Sequence, residues 1–168
     1  MSLTEQAIPA TGRDISISRM TEHDLLEVVE IEESSGLSRW GWAAYYAELQ
    51  GGNSHLMLVA RIAEAERRPH HSSLAGYIIA RIGAAELHIN NVAVRGPYRR
   101  LGIGRALLEC ILAEGKRSKI PCAFLELRAG NQAALALYED CGFRVTARRS
   151  KYYSDPVEDA LVMIVQLD

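Results

Sequence analysis

A surplus of charge of either sign is missing from this chain: 19 Lys and Arg face 21 Asp and Glu, a formal net charge of −2. Broad charge-driven binding to nucleic acid needs a basic surface with many phosphate contacts, so nucleic acid is not expected as a partner. No apolar run approaches the roughly 20 residues of a membrane span, and the polar opening lacks the basic-then-apolar form of a secretory leader. A cytoplasmic protein without membrane attachment is therefore expected. Cysteine is scarce: Cys110, Cys122 and Cys141 are odd in number, widely spaced and set among apolar residues. They read as reduced core thiols, neither a disulfide framework nor, without a lowered thiol pKa, a nucleophile. Adjacent His70 and His71 have no acidic or cysteine partner at ligand spacing, so no metal is implied, and His23, His55 and His88 carry no signal of their own. Repeats, low-complexity tracts and dividing linkers are also lacking.

What is present is the composition of one globular domain: 168 residues, 48% hydrophobic and 24% charged, enough to bury a full core. Residues 1–13, polar and holding Pro9 and Gly12, read as a loose tail, with a single domain over 14–168. Ile15 and Ile17 alternate with serines as a short strand. Thr21 with Asp24 resembles a helix cap before an apolar-periodic run to about Glu33. A helix is expected over 42–49, ended by Gly51-Gly52, then strands over 55–61 and 74–82 joined by a charged, solvated loop at 63–73. A strand over 86–94, a helix over 103–117, a strand over 123–127, a helix over 131–141 and two strands near 144–152 and 160–167 complete a mixed α/β order.

The most informative stretch runs from Val92 to Arg105, where a strand passes through a Gly-rich turn directly into a helix. Gly102 and Gly104 let backbone approach a ligand, and the free N–H groups of a helix start can receive phosphate oxygens. Arg95, Arg99, Arg100 and Arg105 crowd this helix start, although the helix dipole there disfavours cations by up to about 1 kcal/mol each. A bound polyanion would compensate. A Walker loop is excluded because Arg105-Ala106 stands where Lys-Ser/Thr is required, and a dinucleotide fingerprint because Leu107 stands where a third small residue is required.

The run Arg99-Arg100-Leu101-Gly102-Ile103-Gly104 resembles the pyrophosphate loop of the GCN5-related N-acetyltransferase (GNAT) superfamily. Downstream, Leu125-Glu126-Leu127-Arg128, Asn131, Ala136-Leu137-Tyr138 and Gly142-Phe143 resemble the RimI-like branch, which acetylates the N-terminal alanine of a small-subunit ribosomal protein. Arg149, Tyr152-Tyr153 and Glu158-Asp159-Ala160 fit that branch too, so the likeness spans most of residues 15–167. It implies an α/β (α+β) fold with a mixed, mostly antiparallel sheet flanked by helices, parting where coenzyme A enters. It further implies that Val92, Ala93 and Val94 meet pantetheine, that Arg99 through Arg105 with Leu101, Gly102, Ile103 and Gly104 hold pyrophosphate, and that Asn131 contacts the cofactor. Asparagine is also a good helix N-cap, and both roles can coexist.

The chemistry fits. An α-amino group, with pKa about 8, attacks a thioester only when neutral, so a carboxylate that takes its proton is useful, and Glu126 is the candidate base. The departing thiolate needs a proton or hydrogen bond, which the phenol of Tyr138 can supply, although its place on an apolar helix face equally suits a core tyrosine. No Ser-His-Asp or Cys-His arrangement is readable, which favours direct transfer in a ternary complex with acetyl-coenzyme A. Rival readings are a superfamily enzyme acting on a small amine or lysine side chain, and a non-catalytic acetyl-coenzyme A sensor. The chain departs from the branch on the acceptor side, at Arg95, Pro97 and Arg39-Trp40-Gly41-Trp42. Trp40 and Trp42 either line a peptide site or are core aromatics.

Overall fold

The structure is a computed structural model that describes residues 6–10, 13–64, 67, 69, 72–83 and 85–167. Among the described residues eight strands form one sheet in the order β1-β2-β3-β4-β5-β6-β8-β7: β1 Gln6–Ala10, β2 Arg13–Arg19, β3 His55–Ile62, β4 Leu74–Ile82, β5 Glu86–Val94, β6 Cys122–Arg128, β7 Arg144–Ser154 and β8 Val157–Gln166. Every neighbouring pair is antiparallel except β5 and β6. A parallel pair needs a crossover, and helix α3, Ile103–Arg117, supplies it. Helices α1 Leu25–Ser34, α2 Gly41–Leu49 and α4 Gln132–Asp140 complete the fold.

The two faces bury separate apolar sets. Ile103, Leu107 and Ile111 of α3 and Tyr138 of α4 pack with Leu58, Ile78, Leu87, Leu125 and Met163. On the other face Leu25, Val28 and Ile31 of α1 and Tyr45 of α2 pack with Met57, Val59, Tyr77 and Ile79. Covered on both sides, β4 is buried from Leu74 to Ala80, which explains its unbroken apolar run. Edge strand β7 is exposed at ten of its 11 positions, and its Arg144, Arg148, Arg149 and Lys151 discourage pairing with another chain.

The element order agrees with the sequence reading, with one correction. Residues 6–10, expected in a loose tail, form β1, paired with β2 from Gln6↔Ile17 to Ala10↔Arg13. Pro9, read as a mark of irregularity, is tolerated because an edge strand leaves one side of its backbone unpaired. Residues 1–5 and 11–12 of that stretch, and Arg68, His70 and His71 of the charged loop, lie outside the described residues. The expected cap is present: Asp24 accepts from the Thr21 N–H at 2.8 Å and hydroxyl at 3.1 Å, and also pairs with Arg61.

One buried polar cluster sets the relation of α1 and α2 to the sheet. Glu32, 1% exposed, accepts the backbone N–H of Trp40 at 2.7 Å and of Gly41 at 3.1 Å, and the Tyr45 hydroxyl at 2.7 Å. The Tyr45 hydroxyl lies 2.9 Å from that of Tyr77 and accepts Asn91 Nδ2 at 3.3 Å. Burial first of all pushes both phenols well above the ordinary tyrosine range, so they stay protonated and available as donors. Glu32→Ala would strand three donors in the interior. Its expected cost is about 3 kcal/mol, against under about 0.5 for exposed Glu33→Ala, read from urea unfolding midpoints.

Candidate active site

The parallel ladder between β5 and β6 is short, running from Glu86↔Cys122 to Ile89↔Leu125. Beyond it β5 stays with β4 to Val94↔Gly76 and β6 stays with β8 to Arg128↔Ala160, so a cleft opens between residues 90–94 and 126–128. The register of β5 on β4 shifts at Ile79/Ala80, opposite Asn90, and such a bulge bends the strand and raises its twist. The Arg95 N–H bonds to the Ala75 carbonyl at 2.7 Å. Backbone groups alternate sides along a strand, so those of Val92 and Val94 point away from β4, into the cleft, while Ala93 faces β4. The buried Asn90 Oδ1 at the bulge lacks a hydrogen-bond partner among the described residues.

β5 leads through the turn Gly96–Tyr98 to the start of α3. Gly102 caps that helix with φ 79°, no side chain caps it, and its first turn holds no acid. The first intrahelical bond is Ala106 N–H to Gly102 O at 2.9 Å, which leaves the N–H groups of Ile103, Gly104 and Arg105 without helical acceptors. Gly102 thus needs glycine for its backbone. Gly104 serves packing: a Cβ there would stand 3.3 Å from Leu137 and 3.7 Å from Val94.

The arginines of the turn divide. Arg100, exposed, has φ 63°, and Arg99 donates to the Val94 carbonyl at 3.0 Å. Arg105 pairs with Asp140 at 2.9 Å, on α4. Arg95 turns away, bonding the Leu74 carbonyl at 3.1 Å and pairing with Glu27 and Glu30 of α1. It belongs to the α1 contact and not to the helix-start cluster expected of it.

Glu126 and Tyr138 lie on opposite faces of the sheet. Ala123, Leu125 and Leu127 of β6 are buried on the α3 side, so Glu126 points to the other face. There it pairs with Arg149 at 2.6 Å and accepts the Tyr152 hydroxyl at 3.0 Å. Tyr138 lies on the α3 side, 8% exposed, its ring edge-on to Phe143 at 5.8 Å. Burial, with smaller contributions from Tyr153 and Cys141, holds its phenol above the ordinary range. Asn131 caps α4, its Oδ1 accepting the Ala134 N–H at 3.1 Å. The three cysteines are free, and burial pushes the thiols of Cys110 and Cys141 up, away from thiolate character.

Arg149 and Tyr152 are contacts that the sequence did not disclose. Three apart on a regular strand, they would face opposite sides. The register of β7 on β8 slips between Arg149 and Tyr153, with Lys151 at φ 49° and its N–H held by Asp159 at 2.8 Å, and this bulge turns both onto Glu126. His88 was also passed over. It faces Phe124 across the parallel ladder, ring on ring at 4.2 Å, on the face of Glu126. Of the two tryptophans, Trp40 stacks on buried Tyr45 at 5.6 Å and lines an open cavity, while Trp42 is 46% exposed and stacks on Tyr46.

The profile of the Acetyltransferase (GNAT) family matches residues 25–143. The chain belongs to this family. It is similar to the [ribosomal protein bS18]-alanine N-acetyltransferase of Escherichia coli K12, 37% identical over 99 residues that cover 58% of this chain and 67% of that one. It is also similar to N-alpha-acetyltransferase RimI of Mycobacterium tuberculosis, 31% identical over 160 residues, covering 92% and 94%. The crystal structure of the E. coli ribosomal-protein-S18-alanine N-acetyltransferase superposes with a TM-score of 0.77 at 29% identity, covering 92% of this chain and 94% of that one. As a GNAT member the protein is an acetyl-coenzyme A-dependent N-acetyltransferase. The cleft has features that fit such a donor: backbone groups of Val92 and the Val94 N–H turned into it, a buried Asn90 oxygen without a partner among the described residues, and three helix-start N–H groups without helical acceptors. No helix among the described residues is long and apolar enough to cross a membrane.

His88 yields a test of the site's electrostatics. Burial lowers its imidazole pKa, opposed by Glu126 and Glu86 and aided by Arg81 and Arg149. A native pKa below the unfolded value means that the unfolded chain binds more protons in the window between them. Stability therefore falls as pH drops below about 6.5. His88→Phe, which keeps a ring against Phe124, is expected to lose less of its urea midpoint than wild type between pH 7.5 and pH 5.

Proposed function

We propose that this GNAT enzyme acetylates the α-amino group of a protein N-terminus, alanine foremost, with Glu126 as base and Tyr138 as acid. The observation that supports the reading is the position of Glu126 on β6 just past the last β5–β6 pair, Ile89↔Leu125, with Tyr138 in the layer on the other face of the sheet. The neutral amine attacks the thioester carbon. Glu126 takes the amine's proton, the C–S bond breaks, and the thiolate accepts a hydrogen bond or proton from Tyr138. Since burial keeps Tyr138 protonated at neutral pH, it meets the leaving sulfur as a donor.

Val92 and Val94 offer backbone groups to the pantetheine arm, with Ala93 fixing the strand between them. Pyrophosphate is held by the N–H groups of Ile103, Gly104 and Arg105 and by the Arg99-Arg100-Leu101-Gly102 turn, while Asn131 orders the start of α4 beside it. The relatives named alanine N-acetyltransferase and N-alpha-acetyltransferase support the acceptor class. A ribosomal protein as acceptor would place the enzyme in the cytoplasm.

The test is free-thiol release from acetyl-coenzyme A with a peptide bearing a free N-terminal alanine and with the same peptide blocked at that amine. Release is expected with the free amine alone. Glu126→Gln is expected to lower kcat by about 10²–10³ and Tyr138→Phe by about tenfold or more, with coenzyme A affinity retained. Release with small amines or lysine side chains, and none with the peptide, would overturn the α-amino reading. Donor binding without release to any amine would make the protein a sensor.

A second expectation concerns the donor. Gly102→Val forces a β-branched residue to φ 79° and distorts the helix start. It should raise the Kd for coenzyme A at least tenfold by calorimetry, with a smaller effect on dephosphorylated pantetheine, which lacks the pyrophosphate.

A further inference from the structure

Beside Trp40 lies an open cavity of about 570 Å³ whose charged lining plays no part in the acetyl transfer derived above. Arg39 and Trp40 line it from the connection between α1 and α2, Glu48 from α2, and His55 and Arg81 from the ends of β3 and β4. Glu48 has a side chain only 2% exposed, and both of its oxygens are taken. Arg81 reaches Oε1 through Nε and Oε2 through Nη2 at 2.8 Å, and His55 Nδ1 lies 2.7 Å from Oε2. With its carboxylate filled, Glu48 offers nothing to a visitor and instead holds Arg81 in place. The Arg81 side chain remains 51% exposed. Arg39 is exposed and has no ion pair among the described residues. Two guanidiniums against one carboxylate leave the cavity with surplus positive charge beside an indole wall.

Its position relates it to the acceptor. Arg81 faces His88 across β4 and β5, and His88 faces Phe124 across β5 and β6, with Glu126 two residues further along the same face. Two strand spacings of roughly 4.8 Å, with two residues of about 3.3 Å along β6, put Arg81 about 12 Å from the base, and an extended chain with its side chains spans that in about three to four residues. An acceptor whose amine sits at Glu126 therefore brings one of its second to fourth side chains to the cavity.

We infer that this cavity is a specificity pocket for an acidic side chain, Asp or Glu, at the second to fourth residue of the acceptor, with Arg39 and Arg81 as its ion-pairing groups. The inference rests on the α-amino acceptor reading and adds the charge of the acceptor to it.

The experiment compares three peptides, each opening with a free alanine, that carry Glu, Gln or Lys at all of residues 2–4 and are identical beyond. They are tested with wild type and with Arg39→Ala and Arg39→Glu, each checked for an unchanged thermal melt. Arg81 is left alone because its loss would strand Glu48 in the interior. For wild type, kcat/KM is expected to be at least tenfold higher for the Glu peptide than for the Gln peptide and lowest for the Lys peptide, the difference lying in KM and shrinking with added salt. The Glu-to-Gln ratio, read within each variant, should fall at least threefold in Arg39→Ala and further in Arg39→Glu, where the Lys peptide gains. Equal use of the three peptides by wild type, or a Glu preference unchanged in Arg39→Glu, would overturn the pocket and leave the α-amino reading standing. Turnover of none of them, with small amines accepted, would overturn both.

Discussion

The site depends on a parallel strand pair that is not allowed to continue. β5 and β6 are bonded through Ile89↔Leu125, and then each keeps its outer neighbour and abandons the other. Unpaired backbone groups inside a sheet are costly unless something meets them, so a ladder ending in mid-sheet is itself a statement about ligands. The parting also places the helices. β5 runs into the turn that starts α3, and β6 into the one that starts α4, so two helix N-termini stand at one mouth. The bulge opposite Asn90 supplies the bend, and the antiparallel partners on both flanks keep the diverging strands from collapsing together.

A second constraint fixes the opposite wall. The connection between α1 and α2 could drift as a surface loop, but Glu32 grips the Trp40 and Gly41 N–H groups at its end, and Tyr45 carries the grip through Tyr77 and Asn91 to β4 and β5. Asn91 neighbours Asn90 at the bulge, so the strand bordering the donor cleft and the loop bearing Trp40 share one hydrogen-bonded frame. A buried polar network of this kind adds little net stability over an apolar core. Satisfied at every member, it selects one geometry among several of similar packing.

Much of this was legible because it follows from local periodicity and turn chemistry. The helix at 103–117, the strand at 86–94 and the glycine at 102 announce themselves. The misses are non-local. Pro9 argued for a tail because a sequence does not reveal that β2 has a free edge to offer. Arg95 reads as one more cation at the helix start until Glu27 and Glu30, more than sixty residues earlier, fold against it. Arg149 and Tyr152 converge on Glu126 through a bulge at Lys151, a residue that carries no turn signal, stands at φ 49° and gives its N–H to Asp159. His55 was silent for a similar reason: its partner Glu48 sits on a different element.

The grip of Arg149 and Tyr152 on Glu126 has a chemical consequence for any amine acceptor. In the proposed reaction an acceptor reaching Glu126 as an ammonium competes with Arg149 and Tyr152 for the same oxygens. The side chain of Glu126 is 14% exposed and that of Arg149 54% exposed, so the guanidinium can withdraw to water at small cost while the carboxylate stays where the strand puts it. The arriving ammonium then replaces one cation by another, and the desolvation of Glu126 is never left uncompensated. In that reading the exposed edge strand β7 is more than a cover for β8: its Arg149 supplies the counter-ion that the Glu126 carboxylate holds before an acceptor arrives.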